Sequence, residues 1–102
     1  FSWYEPMGME NLGFAAEGEG WKMVDDGSTS MQGDMPISPS GGVLSSNPIG
    51  ASGMCRLAEA AQQVRGMAGG HQVPNAHKAL GHAYGGGAQF FAMWVVGSDP
   101  LK

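Results

Sequence analysis

A chain of 102 residues makes at most one domain, and eighteen of these are glycine. Glycine adds no side chain to a core and costs backbone entropy to order, so a self-sufficient mini-domain is disfavoured against a chain whose loops lie close to a ligand or another chain. The net charge is −4, and the five cations, Lys22, Arg56, Arg65, Lys78 and Lys102, are scattered, which excludes the clustered basic surface that nucleic-acid binding needs.

In chain order, Phe1 to Leu12 reads as a short, imperfect helix, with Trp3, Met7 and the Met9/Leu12 pair on one face. Pro6 fits a first turn and Gly13 a stop. Glu17 to Pro39 is rich in Gly, Ser, Asp and Pro with little periodicity; it reads as loop, with room for a short strand at Trp21 to Val24. Ser38 to Gly53, SPSGGVLSSNPIGASG, is dominated by small residues, as expected where backbone takes positive φ or approaches something closely. A long helix follows, its start marked by Asn47 as N-cap and Pro48 as first helical residue. Met54, Leu57, Ala58, Ala61, Val64 and Ala68 recur at three- and four-residue steps, while Arg56, Glu59, Gln62, Gln63 and Arg65 fall mostly on other faces. Gly66, Gly69 and Gly70 end it. Lys78 to Tyr84 then reads as a strand, Gly85-Gly86-Gly87 as a tight connection, and Ala88 to Val96 as a second strand whose continuous apolar character predicts burial on both faces. The pattern is α/β or α+β, closing on an antiparallel pair.

Cys55 is the single cysteine, so no internal disulfide forms, which suits a reducing, cytoplasmic setting. The longest apolar run, Phe90 to Val96, is too short for a helix to span a bilayer. The chain begins at Phe1 rather than methionine and is expected to be a piece of a longer or processed protein.

Three blocks carry a family likeness. SPSGGVLSSNPIGASG resembles the Asn-x-Ser-Gly-Gly … Gly-His-Pro-x-Gly-Ala-x-Gly loop of the thiolase superfamily. AEAAQQVRGMAGGHQVPNA resembles the helix and turn after that loop, and ALGHAYGGGAQFFAMWVV the final catalytic loop between two strands. The blocks come in the family's order and spacing, and the likeness runs from Phe1 to about Val96. It is nearest to sterol carrier protein X-type thiolases and thiolase-like lipid-transfer proteins. The resemblance implies an α/β fold, the C-terminal half of a layered α/β/α/β/α thiolase, with residues 1–102 as a C-terminal domain fragment. It implies an acyltransferase acting on acyl-CoA, with coenzyme A as substrate and no resident cofactor. The expected partners are the N-terminal half of the thiolase chain, further copies in a homo-oligomer and, as in some relatives, a small zinc-ribbon and OB-fold protein. Phe1-Ser2 looks like the end of the subfamily's His-Asp-Cys-Phe block. The nucleophilic cysteine of a thiolase would lie upstream, so Cys55 reads as a small packing residue.

Two departures bear on chemistry. Ser46-Asn47-Pro48 stands where the family has Gly-His-Pro, and His82-Ala83-Tyr84-Gly85 where it has Cys-x-Gly or His-Asn-x-Gly. Carried over by position, Asn47 would donate to a thioester oxygen, His82 would be the acid–base group, and Gly85 would offer a backbone donor. Tyr84, Tyr4, Ser46 and Ser52 are candidates on the substrate side. An amide donates hydrogen bonds but exchanges no proton near neutral pH, so Asn47 keeps an electrostatic role and loses the acid–base one. That leaves room for a thiolase-like retro-aldolase on a CoA thioester, or a non-catalytic lipid-binding paralogue. Plainer roles stand beside these: Asn47 as a helix cap, His82 as a hydrogen-bonded strand histidine, Tyr84 as a strand-end aromatic, the glycines as a hairpin turn. His71 and His77 read as surface or turn residues. Cys55 and the three histidines lack zinc-ligand spacing, and Gly50-Ala51-Ser52-Gly53 is one residue short of a nucleophile elbow.

Overall fold

The computed structural model describes residues 2–99; the roles expected of Phe1 and Lys102 lie outside the described residues. The chain divides into two compact units, Phe1–Pro39 and Ser40–Lys102.

The first unit holds two helices, α1 (Tyr4–Asn11) and α2 (Gly20–Asp25). Pro6 sits in the first turn of α1, and Gly13 follows its end at φ +79°, a left-handed stop that glycine adopts without steric cost. Met9 is the buried apolar side chain of this unit. Trp21 to Val24 is helical rather than extended, and the cause lies earlier in the chain. The Glu10 carboxylate accepts hydrogen bonds from the Gly18 and Gly20 backbone N–H groups at 3.0 and 2.8 Å. Orphan donors at the entry to α2 are thus satisfied from α1, not by a residue of its own segment.

The second unit runs through 3-10 turns at Gly42–Leu44 and Ile49–Ala51 into α3 (Ser52–Val64), a 3-10 turn at Gly69–His71, then β1 (Lys78–Gly85) and β2 (Phe90–Gly97). The strands pair antiparallel, with Lys78 opposite Gly97 and Gly85 opposite Phe90. Gly85 closes β1, and the connection runs from Gly86 to Gln89 rather than through the three glycines alone; Gly86, Gly87 and Ala88 all take positive φ, at +59°, +64° and +68°. Helix α3 begins at Ser52 with Ala51 as its cap, so Asn47 is not its N-cap. Ile49 at φ +46° turns the backbone out of the helical path between Pro48 and Ser52.

The face α3 turns inward differs from the expected apolar stripe. Ala60 and Gln63 are buried and Gly53 meets the hairpin, whereas Met54 is exposed. This stripe is smaller and more polar, and it lets the helix lie close: a Cβ on Gly53 would stand 3.0 Å from that of Ala83. The hairpin answers in kind. Residues opposite one another share a face, so Ala79, Gly81 and Ala83 lie with Trp94 and Val96 on the face toward α3. Gly81 is buried, and any side chain there would collide with the Trp94 ring. Leu80, Phe91, Met93 and Val95 occupy the other face and are exposed. The expectation that β2 is buried on both faces therefore does not hold within these residues. Small residues of β1 face the helix, with Trp94 laid over Gly81, while Leu80, Phe91, Met93 and Val95 point away from it.

A buried glutamine fixes the far end of α3. Gln63, 5% exposed, donates to the His71 carbonyl at 2.8 Å and to the Glu59 carboxylate at 3.2 Å. Its side-chain oxygen accepts from the Val73 N–H at 2.8 Å and the Gln72 amide at 3.2 Å. Gln72 in turn accepts from the Ala68 N–H at 3.0 Å. The turn leading into β1 is thereby tied to the last turn of the helix. No helix of the described residues is long and apolar enough to cross a membrane.

Candidate functional site

A cleft of about 210 Å³ opens where the first turn of α3 meets the end of β1. Its walls are Val43 and Ile49 from the loop, Ser52, Gly53 and Arg56 from α3, and Ala83 and Tyr84 from β1. Two of the sequence-predicted residues, Ser52 and Tyr84, meet here. The Ser52 hydroxyl donates to the Ile49 carbonyl at 2.7 Å, closing the turn that precedes α3. Ile49 is a β-branched residue in the left-handed region, a strained conformation, and it sits at the lip of the cleft, 77% exposed.

Arg56 links the cleft to His82. Its Nη1 donates to the His82 carbonyl oxygen at 2.5 Å, and its guanidinium carbon lies 5.9 Å from the centre of the Tyr84 ring. The His82 imidazole is half-buried on the outward hairpin face. It stacks on Phe91 with centroids 5.8 Å apart and planes 13° from parallel, and lies 6.2 Å from Tyr84. Burial first, and the Arg56 charge second, push its pKa below the ordinary value. An imidazole in that state is neutral at pH 7 and available as a base.

The other candidates fall elsewhere. Asn47 and Ser46 are exposed on the loop before Ile49 and, like His82, do not line the cleft. The Ser46 hydroxyl donates to the Gly42 carbonyl at 3.3 Å. Gly85 is exposed at the end of β1, its carbonyl accepting from the Gln89 N–H at 3.0 Å. Tyr4 belongs to the first unit, where it opens α1 and its ring stacks on Trp3 at 4.2 Å. Cys55 is exposed on α3 rather than packed, because the helix turns its neighbours Arg56 and Gly53 toward the hairpin. His71 Nε2 lies 3.2 Å from a Glu59 carboxylate oxygen, near enough for an ion pair but too poorly aligned for a hydrogen bond. No cluster of three or more His, Cys, Asp or Glu side chains suited to a metal occurs among the described residues. A wider depression of about 520 Å³ at the base of the hairpin contains none of the predicted residues.

Sequence reasoning missed Arg56, which it set off the apolar stripe on another face of the helix. Its signal was positional: Arg56, Ala60 and Gln63 step by four and three residues on from Gly53, a second helical stripe beside the hydrophobic one.

Residues 1–98 match the family model described as thiolase C-terminal domain-like. Over 99 residues the chain is 42% identical to sterol carrier protein 2 of Rattus norvegicus, covering 95% of this chain and 18% of the relative. It is 42% identical over 81 residues to an acetyl-CoA acetyltransferase of Methanothermobacter thermautotrophicus, covering 78% of this chain and 21% of that one. A benzoylsuccinyl-CoA thiolase subunit, BbsB, of Thauera aromatica is also 42% identical, over 82 residues, with 78% and 21% coverage. The chain thus spans about a fifth of the length of the curated relatives it matches.

Proposed function

Since the chain belongs to the thiolase C-terminal domain-like family, we propose that it is part of an acyltransferase that makes or breaks a carbon–carbon bond on an acyl-CoA thioester. The observation that carries this reading is His82: half-buried beside Phe91 and Tyr84, its pKa lowered by burial and then by Arg56, within β1 and three residues before Gly85-Gly86-Gly87. A neutral imidazole takes a proton from the carbon beside the thioester carbonyl in condensation and returns it in cleavage. The oxygen that becomes negative is served by amide donors, for which Asn47 and the Gly85 backbone are the candidates. The thiolate that carries the acyl group is assigned to protein outside residues 1–102.

The names of the acetyltransferase and thiolase relatives support acyl transfer. The outward hairpin face supports a site completed from elsewhere, since Leu80, Phe91, Met93 and Val95 lie exposed beside His82. The remaining length of a thiolase chain would cover that face. Assembly as a homo-oligomer, a small zinc-ribbon and OB-fold partner, and a cytoplasmic location belong to the same reading.

A lipid-binding paralogue without turnover is the second reading. It is favoured by Asn47, which replaces the family's histidine and lies exposed outside the cleft. The full-length protein decides when given acetoacetyl-CoA and CoA. Thiolysis that falls about 10²–10⁴-fold in His82→Gln supports the acyltransferase. Acyl-CoA binding without products supports the paralogue, and cleavage of a β-hydroxyacyl-CoA with no thiolysis supports a retro-aldolase. The 102-residue chain alone is expected to turn over none of these.

A further inference from the structure

We propose that Arg56 is a positioning residue that locks His82 and Tyr84 in place by gripping the end of β1 from α3. The inference rests on the acyltransferase reading for its kinetic effect, but its geometry is independent of it. Three observations carry it. The Arg56 guanidinium donates to the His82 carbonyl and lies against the Tyr84 ring, so a single rigid fork constrains two alternate residues of one strand. Among the described residues β1 pairs with β2 alone, and the His82 carbonyl takes its hydrogen bond from Arg56 rather than from a strand. The helix can hold the arginine at this distance because Gly53, one turn earlier, lies against Ala83, between the two gripped residues.

The groups facing His82 are Arg56 from α3, Tyr84 on its own strand, and Phe91 and Met93 from β2. Of these Arg56 alone carries a fixed charge, and that charge is the second cause, after burial, of the depressed His82 pKa. The residue therefore has two separable effects, orientation through the carbonyl and neutrality through its field.

The test uses the full-length protein with Arg56→Met, Arg56→Gln and Arg56→Lys, read by steady-state kinetics and by an NMR titration of the His82 ring assigned with His82→Gln. In Arg56→Met, kcat falls roughly 10- to 100-fold with KM nearly unchanged, and the His82 midpoint moves up. Arg56→Lys restores the charge and returns the midpoint toward that of the wild type. Arg56→Gln leaves a polar group at the site and decides the matter should the methionine variant not fold; its midpoint also rises. A His82 midpoint that stays put in the neutral variants overturns the proposal, as does a loss confined to KM. If the wild-type protein shows no acyl-CoA turnover while the midpoint still moves, the functional reading fails and Arg56 keeps its positioning role.

Discussion

At the scale of single residues, two side chains store free energy against the fold. Ile49 holds a left-handed backbone that costs on the order of 1–3 kcal/mol for a β-branched residue, and at 77% exposure it recovers little by burial. Ile49→Gly is expected to stabilise the protein by about 1 kcal/mol, after allowing for the greater freedom of glycine in the unfolded chain; denaturant midpoints read this directly. His82 stores its share as a proton-binding penalty. Its folded pKa lies below the ordinary imidazole value because of burial and then Arg56. The unfolded state therefore binds more protons between the two values, and stability rises with pH there. It is fully present above the ordinary imidazole value, about 6.5, and declines as pH falls toward the folded value. His82→Gln removes that acid-side decline, so its stability and that of the wild type run parallel above pH 7 and diverge below pH 6.5. Both residues stand out in the sequence only in part. His82 was legible from its place before Tyr84 and three glycines. Ile49 was not, because nothing in a residue's type announces a positive φ that its neighbours impose.

At the scale of elements, the strands and the existence of α3 were readable from periodicity, while its start at Ser52 and its rotation about its own axis were not. The Met54, Leu57, Ala58 stripe satisfies the hydrophobic pattern, yet the hairpin presents Ala79, Gly81 and Ala83 and close approach selects Gly53 and Ala60 to meet them. Packing of small against small decided the contact face, and a periodicity count weights large side chains instead. The α2 helix was missed for a related reason: its N-terminal donors are met by Glu10 from another element. Gln63 shows how polar such an inward face can be. With four hydrogen bonds converging on its amide, Gln63→Leu leaves the Val73 N–H and His71 carbonyl without partners and is expected to cost about 2–3 kcal/mol. The loss appears in thermal unfolding and as faster hydrogen exchange in the segment from Ala68 to Val73.

At the scale of the whole molecule, the described residues bury three apolar side chains, Met9, Ala60 and Ala68, while Leu80 on β1 and Phe91, Met93 and Val95 on β2 stay exposed on one face of the hairpin. A contiguous apolar face of this kind marks a surface that something covers. The 102-residue chain on its own is expected to bind a hydrophobic dye such as ANS, and the triple variant Phe91→Ser, Met93→Ser, Val95→Thr to bind much less. Unchanged dye binding would place the sticky surface elsewhere. That few side chains are buried was foreshadowed by composition, since eighteen glycines leave few side chains for a core. Which face of the hairpin α3 covers could not be read, because strand alternation alone does not say which side a helix will take.

The direction in which β2 turns its large side chains has a calorimetric consequence. Heat-capacity change tracks the apolar area withdrawn from water, and little of that withdrawal happens when this hairpin and helix come together. The isolated chain should therefore melt with a shallow, weakly cooperative endotherm. Docking of the complementary protein onto the hairpin should instead carry a large negative ΔCp, visible by titrating the two pieces together at several temperatures and following the slope of the heat against temperature.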